Sequence, residues 1–455
     1  MNFDKRYSAR VKLLLLAVVL IFSLGCKKFL DEKPDKKIST PNKLSDLDGI
    51  LNYYSLMNGK YPQLGEIGSD DYYLRDADWS TVSEVHRNFY LWQKYDVTTI
   101  DWLSYETIFA TNVVLENAEK IEASPLEENF RNIIKGGALF SRAYYYLALS
   151  QLFAPPFEES TADRKLGLPL RLNSDYNEVS VRSTIRETYE RILKDLKTAV
   201  YLLPDRPTAK YRASKASAYG ALSRTYLYMC RYREAGLYAD SCLSLYSSLI
   251  DYNTITPSAA SPFKQFNDEV IFDSRTSVPS GLAQTKARID PLLQQSYHNN
   301  DLRRTIFFKS NTDGTVAFKG NYTGLSSAVM FTGIATDEML LNRAECMARQ
   351  GKVTLALQDL NLLLSKRYKT GTFMPVQSSD QEVVLSLILT ERRKELLFRT
   401  IRWSDLRRLN LEPRYAKDLK RTLNGVSYEL KANGLRYTLP IEGNSIILSG
   451  MEQNP

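Results

Sequence analysis

From Leu13 to Gly25 the chain carries no charge, and this run follows a leader containing Lys5, Arg6, Arg10 and Lys12. The run has the length of a secretory signal's apolar core and falls short of the roughly 20 apolar residues that a membrane span needs. It ends on a small residue, Gly25, before Cys26. The pattern predicts a lipoprotein signal over 1–25 and a lipidated Cys26 at the start of the mature chain; an ordinary signal peptide cut nearby, or an uncleaved anchor, are the alternatives. Residues 26–40 are polar and contain Pro34, as a short tether would be.

Beyond residue 40 helical periodicity dominates, and 41–455 is expected to be a single body. A helix should start at Ser45 or Asp46 and run through Leu47, Ile50 and Leu51. In 100–121 the apolar positions Leu103, Ile108, Val113 and Val114 keep the same period. A longer helix from about Leu126 to Phe153 carries Ile133, Ile134, Leu139, Ala143, Tyr144 and Leu147, and Pro155 and Pro156 end it because neither ring nitrogen can donate. Helical hairpins are expected near 183–249 and 337–366. In the first, Ser183 or Thr184 and then Ser214 are caps, and Ala218, Ala221, Ala235 and Ala239 allow close approach. The tract 252–333, rich in Gly, Ser, Asn and Pro, is too long for a repeat loop and reads as an irregular insertion with a few short strands. Gln381–Phe398 is another helical segment, and Leu435–Ile447 reads as a strand or an extended docking segment.

Composition narrows the chemistry. A formal charge of +8 over 455 residues, part of it in the leader, is too dilute to argue for nucleic acid. After Cys26 only Cys230, Cys242 and Cys346 remain, without the spacing of a zinc site or a disulfide scaffold. Cys230 and Cys242 could face each other across a hairpin, or remain free thiols. His86 and His298 fit no triad or metal spacing, and no metal or cofactor is expected. A glycosidase needs two carboxylates across one bond, and no acidic pair here singles itself out.

Several motifs then coincide in order along the chain. They are Phe29-Leu30-Asp31 and Pro34 after Cys26, Arg142-Ala143-Tyr144-Tyr145-Tyr146, Lys215 to Tyr228 with Tyr232 to Leu245, and Leu341-Asn342-Arg343-Ala344-Glu345 before Gly351-Lys352. The most specific is Glu391-Arg392-Arg393-Lys394-Glu395-Leu396, continuing through Phe398, Arg402-Trp403 and Asp405-Leu406 to Arg407-Arg408. In these pieces the chain resembles the SusD/RagB family of outer-membrane nutrient-binding lipoproteins. It departs where the family commonly has Glu-Gly after the phenylalanine, here Arg399 and Thr400, at Ala154 in place of a loop glycine, and at Leu439-Pro440-Ile441, which lacks a second proline.

The resemblance implies a mostly α fold in which tetratricopeptide-type hairpins support an irregular, ligand-facing part. It implies a lipid-anchored protein on the outer membrane that faces the exterior, captures an oligosaccharide or related nutrient, and partners a SusC/RagA-like TonB-dependent transporter. No catalytic activity is implied. A helical-repeat adaptor for a protein ligand and, at greater distance, a secreted glycan hydrolase are the competing readings.

Sugar recognition requires flat aromatic faces bordered by polar groups on loops with rigid support. Within the aromatic and acidic stretch Tyr61–Trp79, read as an exposed loop, the residues Asp70, Asp71, Tyr72, Tyr73, Arg75, Asp78 and Trp79 meet that description. A second loop source is 283–324, with Arg288, Asp301, Arg303, Arg304, Asn321 and Tyr322. The charged segment Glu391–Arg408, with Trp403, is expected to brace neighbouring loops rather than to touch ligand.

Overall fold

Helices laid side by side in chain order form the support. In the computed structural model, which describes residues 41–93, 102–325 and 328–455, Ser104–Lys120 packs on Glu128–Phe153, and that long helix packs on Ile185–Leu202. Lys215–Tyr228 and Tyr232–Leu245 follow as an antiparallel pair, then Thr336–Arg349 and Val353–Ser365, and finally Gln381–Glu395 against Thr336–Arg349. The signal, Cys26 and the tether lie outside the described residues.

Local chemistry sets the helix ends. Thr184 and Ser214 each accept from the backbone N–H three residues on, so the first exposed donors of two helices are satisfied. The turn between the paired helices is at Met229–Arg231, with Cys230 at φ 57, and Gly351 at φ 73 makes the corresponding turn in the second pair. Small residues permit the contacts: Ala218, Ala221, Ala235 and Ala239 are fully buried, and a Cβ on Gly236 would come within 2.9 Å of Cys346 Cβ. Cys230, Cys242 and Cys346 are free thiols.

The long helix also anchors the irregular part. Its consecutive tyrosines are buried, and each hydroxyl donates to a carbonyl of a different segment: Tyr144 to Thr332, Tyr145 to Met57 at the end of the helix Tyr54–Met57, and Tyr146 to Arg171. Arg142 on the same helix forms a paired contact with Asp195 at 2.8 and 3.0 Å. Buried hydroxyls and guanidinium groups need such partners, so these side chains fix where the loops cross the helix.

Among the described residues the strands form antiparallel pairs that close into no larger sheet. The pairs are Tyr72–Tyr73 with Arg288–Ile289, Val270–Phe272 with Ile334–Ala335, Arg275–Ser277 with Val329–Phe331, Phe308–Ser310 with Val316–Phe318, Leu166–Pro169 with Arg182–Thr184, and Leu419–Leu423 with Val426–Leu430.

Two readings of the sequence need correction. Residues 61–79 are not an exposed loop: they contain the buried helix Leu64–Gly68, the strand Tyr72–Tyr73 and the helix Asp76–Ser80. Gly65 and Gly68 bring the first of these directly onto the indole of Trp403, which is itself buried. The end of the chain holds a short helix, Gly443–Ser449, where a strand or an extended docking segment was expected. The strands lie earlier, in the hairpin around Asn424-Gly425, whose φ values of 49 and 75 are those of a tight two-residue turn.

A Cβ on Gly68 would stand 2.6 Å from Cζ3 of Trp403. Gly68→Ala should therefore cost about 1–3 kcal/mol through overpacking, read as a lower denaturation midpoint at an unchanged slope. A wild-type midpoint would show that the indole is free to move.

Candidate functional site

The segment Glu391–Arg408 is the electrostatic centre of the molecule. Asp380 caps its first helix, accepting from the N–H groups of Glu382 and Val383 at 2.8 and 3.1 Å. The turn to the second helix, Arg402–Leu409, places Phe398 and Thr400 at φ 55 and 60. Left-handed backbone is unfavourable for both residues, and the Thr400 N–H offsets part of that cost by donating to Glu66 Oε2 at 2.7 Å.

Three sets of buried ion pairs radiate from this segment. In the first, Arg303 is fully buried and meets Asp301 at 2.7 Å, Glu391 at 2.6 Å and Glu395 at 2.8 Å. Lys394 adds to Glu391 and Asp301, Arg367 bridges Glu395 to Glu269, and Arg399 pairs with Asp337 at 2.7 Å. Acids exceed bases in this set by one charge, and the excess falls on Glu269. Burial, opposed by Arg367 and aided by Asp337 and Glu395, pushes the Glu269 carboxyl up to about 7. The oxygens of Glu269, Asp337 and Glu395 lie within 4.8 Å of one another, a spacing a cation could use. Arg367 and Arg399 already supply positive charge there.

The second set ties down the first candidate loop. Arg402 and Lys417 each reach Asp70 at 2.7 Å, and Arg393 reaches Asp71 at 2.7 Å and Asp290 at 3.3 Å. Burial would raise the Asp70 carboxyl, but Arg402 and Arg393 overcome it and hold it well below the usual range. Asp71 is raised by burial, with Arg393 only partly offsetting the rise. The third set joins Arg392 and Arg408 to Asp405 at 2.7 and 2.8 Å, and Arg408 to Glu345 at 2.6 Å. Against the rise from burial, Arg408 and its neighbours bring Glu345 down to about 2.

These pairs decide which of the sequence-chosen residues can face a ligand. Asp71 and Tyr72 are buried, and Asp70 is engaged on three sides. In the second loop Asp301, Arg303 and Tyr322 belong to the first ion-pair set, and the Tyr322 ring lies 3.9 Å under Arg399. Arg288 is buried as well, and Asn321 spends its side chain on the backbone of Val329, Phe331 and Thr323. None of Asp71, Tyr72, Arg288, Asp301, Arg303 and Tyr322 presents the open face expected of it. Their polar groups are taken up in holding the loops together.

The structure does bring the two loop sources together. Tyr73 pairs with Arg288 across the two-stranded piece, and Arg75 bridges Asp78 at 2.7 Å and Asp313 at 2.9 Å. Asp313 was not among the residues chosen from sequence, since nothing local marks an aspartate 238 positions away as a partner for Arg75. Arg75 and Arg304 are exposed, whereas Tyr73, Asp78 and Trp79 are partly buried. The Trp79 ring packs against the core, and the Arg87 guanidinium lies 5.2 Å from its centre. This surface of Tyr73, Arg75, Asp78, Trp79 and Asp313 stands on strands and helices fixed by the ion pairs beneath it. A cavity under the second loop, lined in part by Gln284, Lys319 and Asn321, measures about 40 Å³, too small for a sugar ring.

Residues 28–227 match a family model described as "Starch-binding associating with outer membrane", and residues 295–455 match the model of the SusD family. Among solved structures, the fold is similar to a putative sugar binding protein from Bacteroides vulgatus. The two share 22% identity over 92% of this chain and 99% of the other, with a TM-score of 0.76. A SusD superfamily protein from the same organism is 24% identical over 91% and 99% of the two chains, with a TM-score of 0.74. One from Bacteroides thetaiotaomicron is 23% identical over 91% and 100%, with a TM-score of 0.72. At these identities the likeness is one of fold. No curated protein matches the sequence.

Glu66 provides a pH test of the support beneath this surface. It is fully buried, accepts from Thr400 N–H and Ser69 Oγ, and burial pushes its carboxyl from 4.5 up to about 8. A raised acid binds its proton more tightly when folded, so its contribution to stability is present below about 4.5 and is lost as pH rises towards about 8. Glu66→Gln, neutral throughout, should melt near wild type at about pH 5 and gain several degrees on it by about pH 8. A difference that stays constant across that range would show that Glu66 is ionised in the folded protein.

Proposed function

The chain belongs to the SusD/RagB family, and from that premise we propose that it is a lipid-anchored protein of the outer membrane's outer face. In this reading Cys26 carries the lipid, and the protein captures an oligosaccharide or related nutrient and hands it to a TonB-dependent transporter. The observation that carries the reading is the match of both halves of the chain to family models, on a fold that superposes over nearly its full length. The protein binds and does not catalyse. A glycosidase would need two accessible carboxylates across a scissile bond, and Asp70, Asp78 and Asp313 beside these loops are engaged by Arg402 and Arg75.

The ligand surface we propose is the one left at least partly open once the buried charges are accounted for: exposed Arg75 and Asp313, with partly buried Tyr73, Asp78 and Trp79. Aromatic rings cover the apolar face of a pyranose at low entropy cost, and Arg75 with its two aspartates offers donors and acceptors to the hydroxyls. Tight attachment of these groups to the helical body supports the reading, since a preorganised loop loses less freedom on binding.

Two outcomes follow. Purification of the native lipoprotein in mild detergent should recover an integral outer-membrane barrel with it, and repeated recovery without one, under conditions that preserve other envelope complexes, would contradict the transport role. Trp79→Ala should weaken a cognate glycan by about 1–3 kcal/mol in calorimetry, with Tyr73→Ala weakening it in the same direction. Wild-type affinity in both variants would move the ligand surface elsewhere.

A further inference from the structure

A cavity of about 280 Å³ opens between the short helix Pro291–Gln295, the helices Gln381–Glu395 and Arg402–Leu409, and residues 415–417. Its volume is near the lower end of small-molecule sites, which run from roughly 300 Å³ upward. The surface around Tyr73, Arg75, Trp79 and Asp313 contributes nothing to its wall.

Two chemistries meet in this wall. Leu293, Leu406 and Leu409 line it as buried side chains, and Leu292 continues the apolar stretch although 75% of it is exposed. Asp290 accepts the Leu292 N–H at 3.2 Å and so fixes where that uncovered leucine stands. All the charge in the wall is positive: Arg393, Arg402 and Lys417 line the cavity, and among the described residues none that lines it is acidic. Their carboxylate partners, Asp70, Asp71 and Asp290, lie outside the wall, so a solute that enters meets the cationic side of each pair.

The pairing also leaves particular donors open. Arg393 spends Nε on Asp71 at 2.7 Å, and Nη2 on Asp70 O at 2.7 Å and Asp290 at 3.3 Å. Arg402 spends Nε and Nη2 on the two oxygens of Asp70, at 2.7 and 3.0 Å, and Lys417 reaches the same carboxylate at 2.7 Å. Nη1 of both arginines has no partner among the described residues, and unlike the unpaired donors of Trp403 and Arg407 it is not shut off from solvent. Two held guanidinium groups therefore present free N–H groups beside an apolar wall. A hydrogen bond from a guanidinium to a carboxylate is roughly twice as strong as one between neutral groups, and each methylene laid on leucine adds to it.

We propose that this cavity is a second binding site, for a small carboxylic acid with a short apolar chain. The carboxylate takes the Nη1 groups of Arg393 and Arg402 and the Lys417 ammonium, and the chain lies along Leu292, Leu293, Leu406 and Leu409. The inference stands apart from the family reading and from the loop surface, and it gives the brace one face that touches solute. Calorimetry on the full-length lipoprotein in detergent, with the heats of micelles alone subtracted and ionic strength set with chloride, would compare hexanoate, acetate and hexanol. Hexanoate should bind at least about 10-fold tighter than acetate, which lacks the chain, and than hexanol, which lacks the charge. Leu292→Ser alters an exposed side chain, and in Lys417→Gln Arg402 still holds Asp70, so both should melt near wild type. Each should weaken hexanoate by about 3- to 10-fold. Absence of hexanoate binding, acetate or hexanol binding as tightly as hexanoate, or wild-type hexanoate affinity in either variant would overturn the proposal.

Discussion

A buried guanidinium that loses its carboxylate costs several kcal/mol, and this constraint organises the molecule. The stretch from Glu391 to Arg408 buries both acids and bases, with bases in excess, and the rest of the chain supplies partners from distant positions. Asp301 and Arg303 come from the irregular insertion, Asp337 and Glu345 from one helical hairpin, Arg367 from the loop after it, and Asp70 and Asp71 from the N-terminal part. The partners come from four separate parts of the chain, so pairing the charges also fixes how loops and helices meet. The gain is specificity of arrangement more than raw stability, since buried pairs roughly balance their desolvation.

The functional consequence is a rigid base under a small exposed surface. Helices in chain order provide the platform, the tyrosines of the long helix pin the loop crossings, and Arg393 with Arg402 closes the loop at Asp70 and Asp71. What remains open around Tyr73, Arg75 and Trp79 is therefore preorganised. Such a surface is suited to holding a solute for transfer. Asp78 and Asp313 beside it are paired with Arg75.

Much of the scaffold was legible in the chain. The 3.6-residue period marked the long helix, Ser183 or Thr184 and Ser214 were readable as caps, of which Thr184 and Ser214 serve, and the density of charge beside Leu396, Leu397 and Phe398 marked 391–408 as a brace. The site was less legible, because a sequence shows that Asp71, Asp301 and Arg303 are polar and not that their partners lie far along the chain. Asp71 and Arg393 are 322 positions apart. Local composition therefore overstated how many loop residues face solvent. The hairpin at Asn424-Gly425 had a readable turn signal, with alternation from Leu419 to Leu423, but the alternation is broken in character by Arg421, a charged residue on the buried side. Thr400, where the sequence departs from the glycine common in the family it resembles, has left-handed backbone, with Glu66 accepting its N–H.

The central claim is that ion pairs from 391–408 hold the candidate loop in place. Amide hydrogen exchange on Arg393→Met tests it most directly, because the Arg393 guanidinium is the side-chain bridge between the carboxylates of Asp71 and Asp290, whose backbones also meet through Asp290 N–H and Asp71 O at 2.9 Å. The account predicts that residues 70–79 and 288–290 lose protection while the hairpin Thr336–Ser365 keeps it. Unchanged protection at 70–79 would contradict it, and would place the support of that loop in its apolar contacts instead.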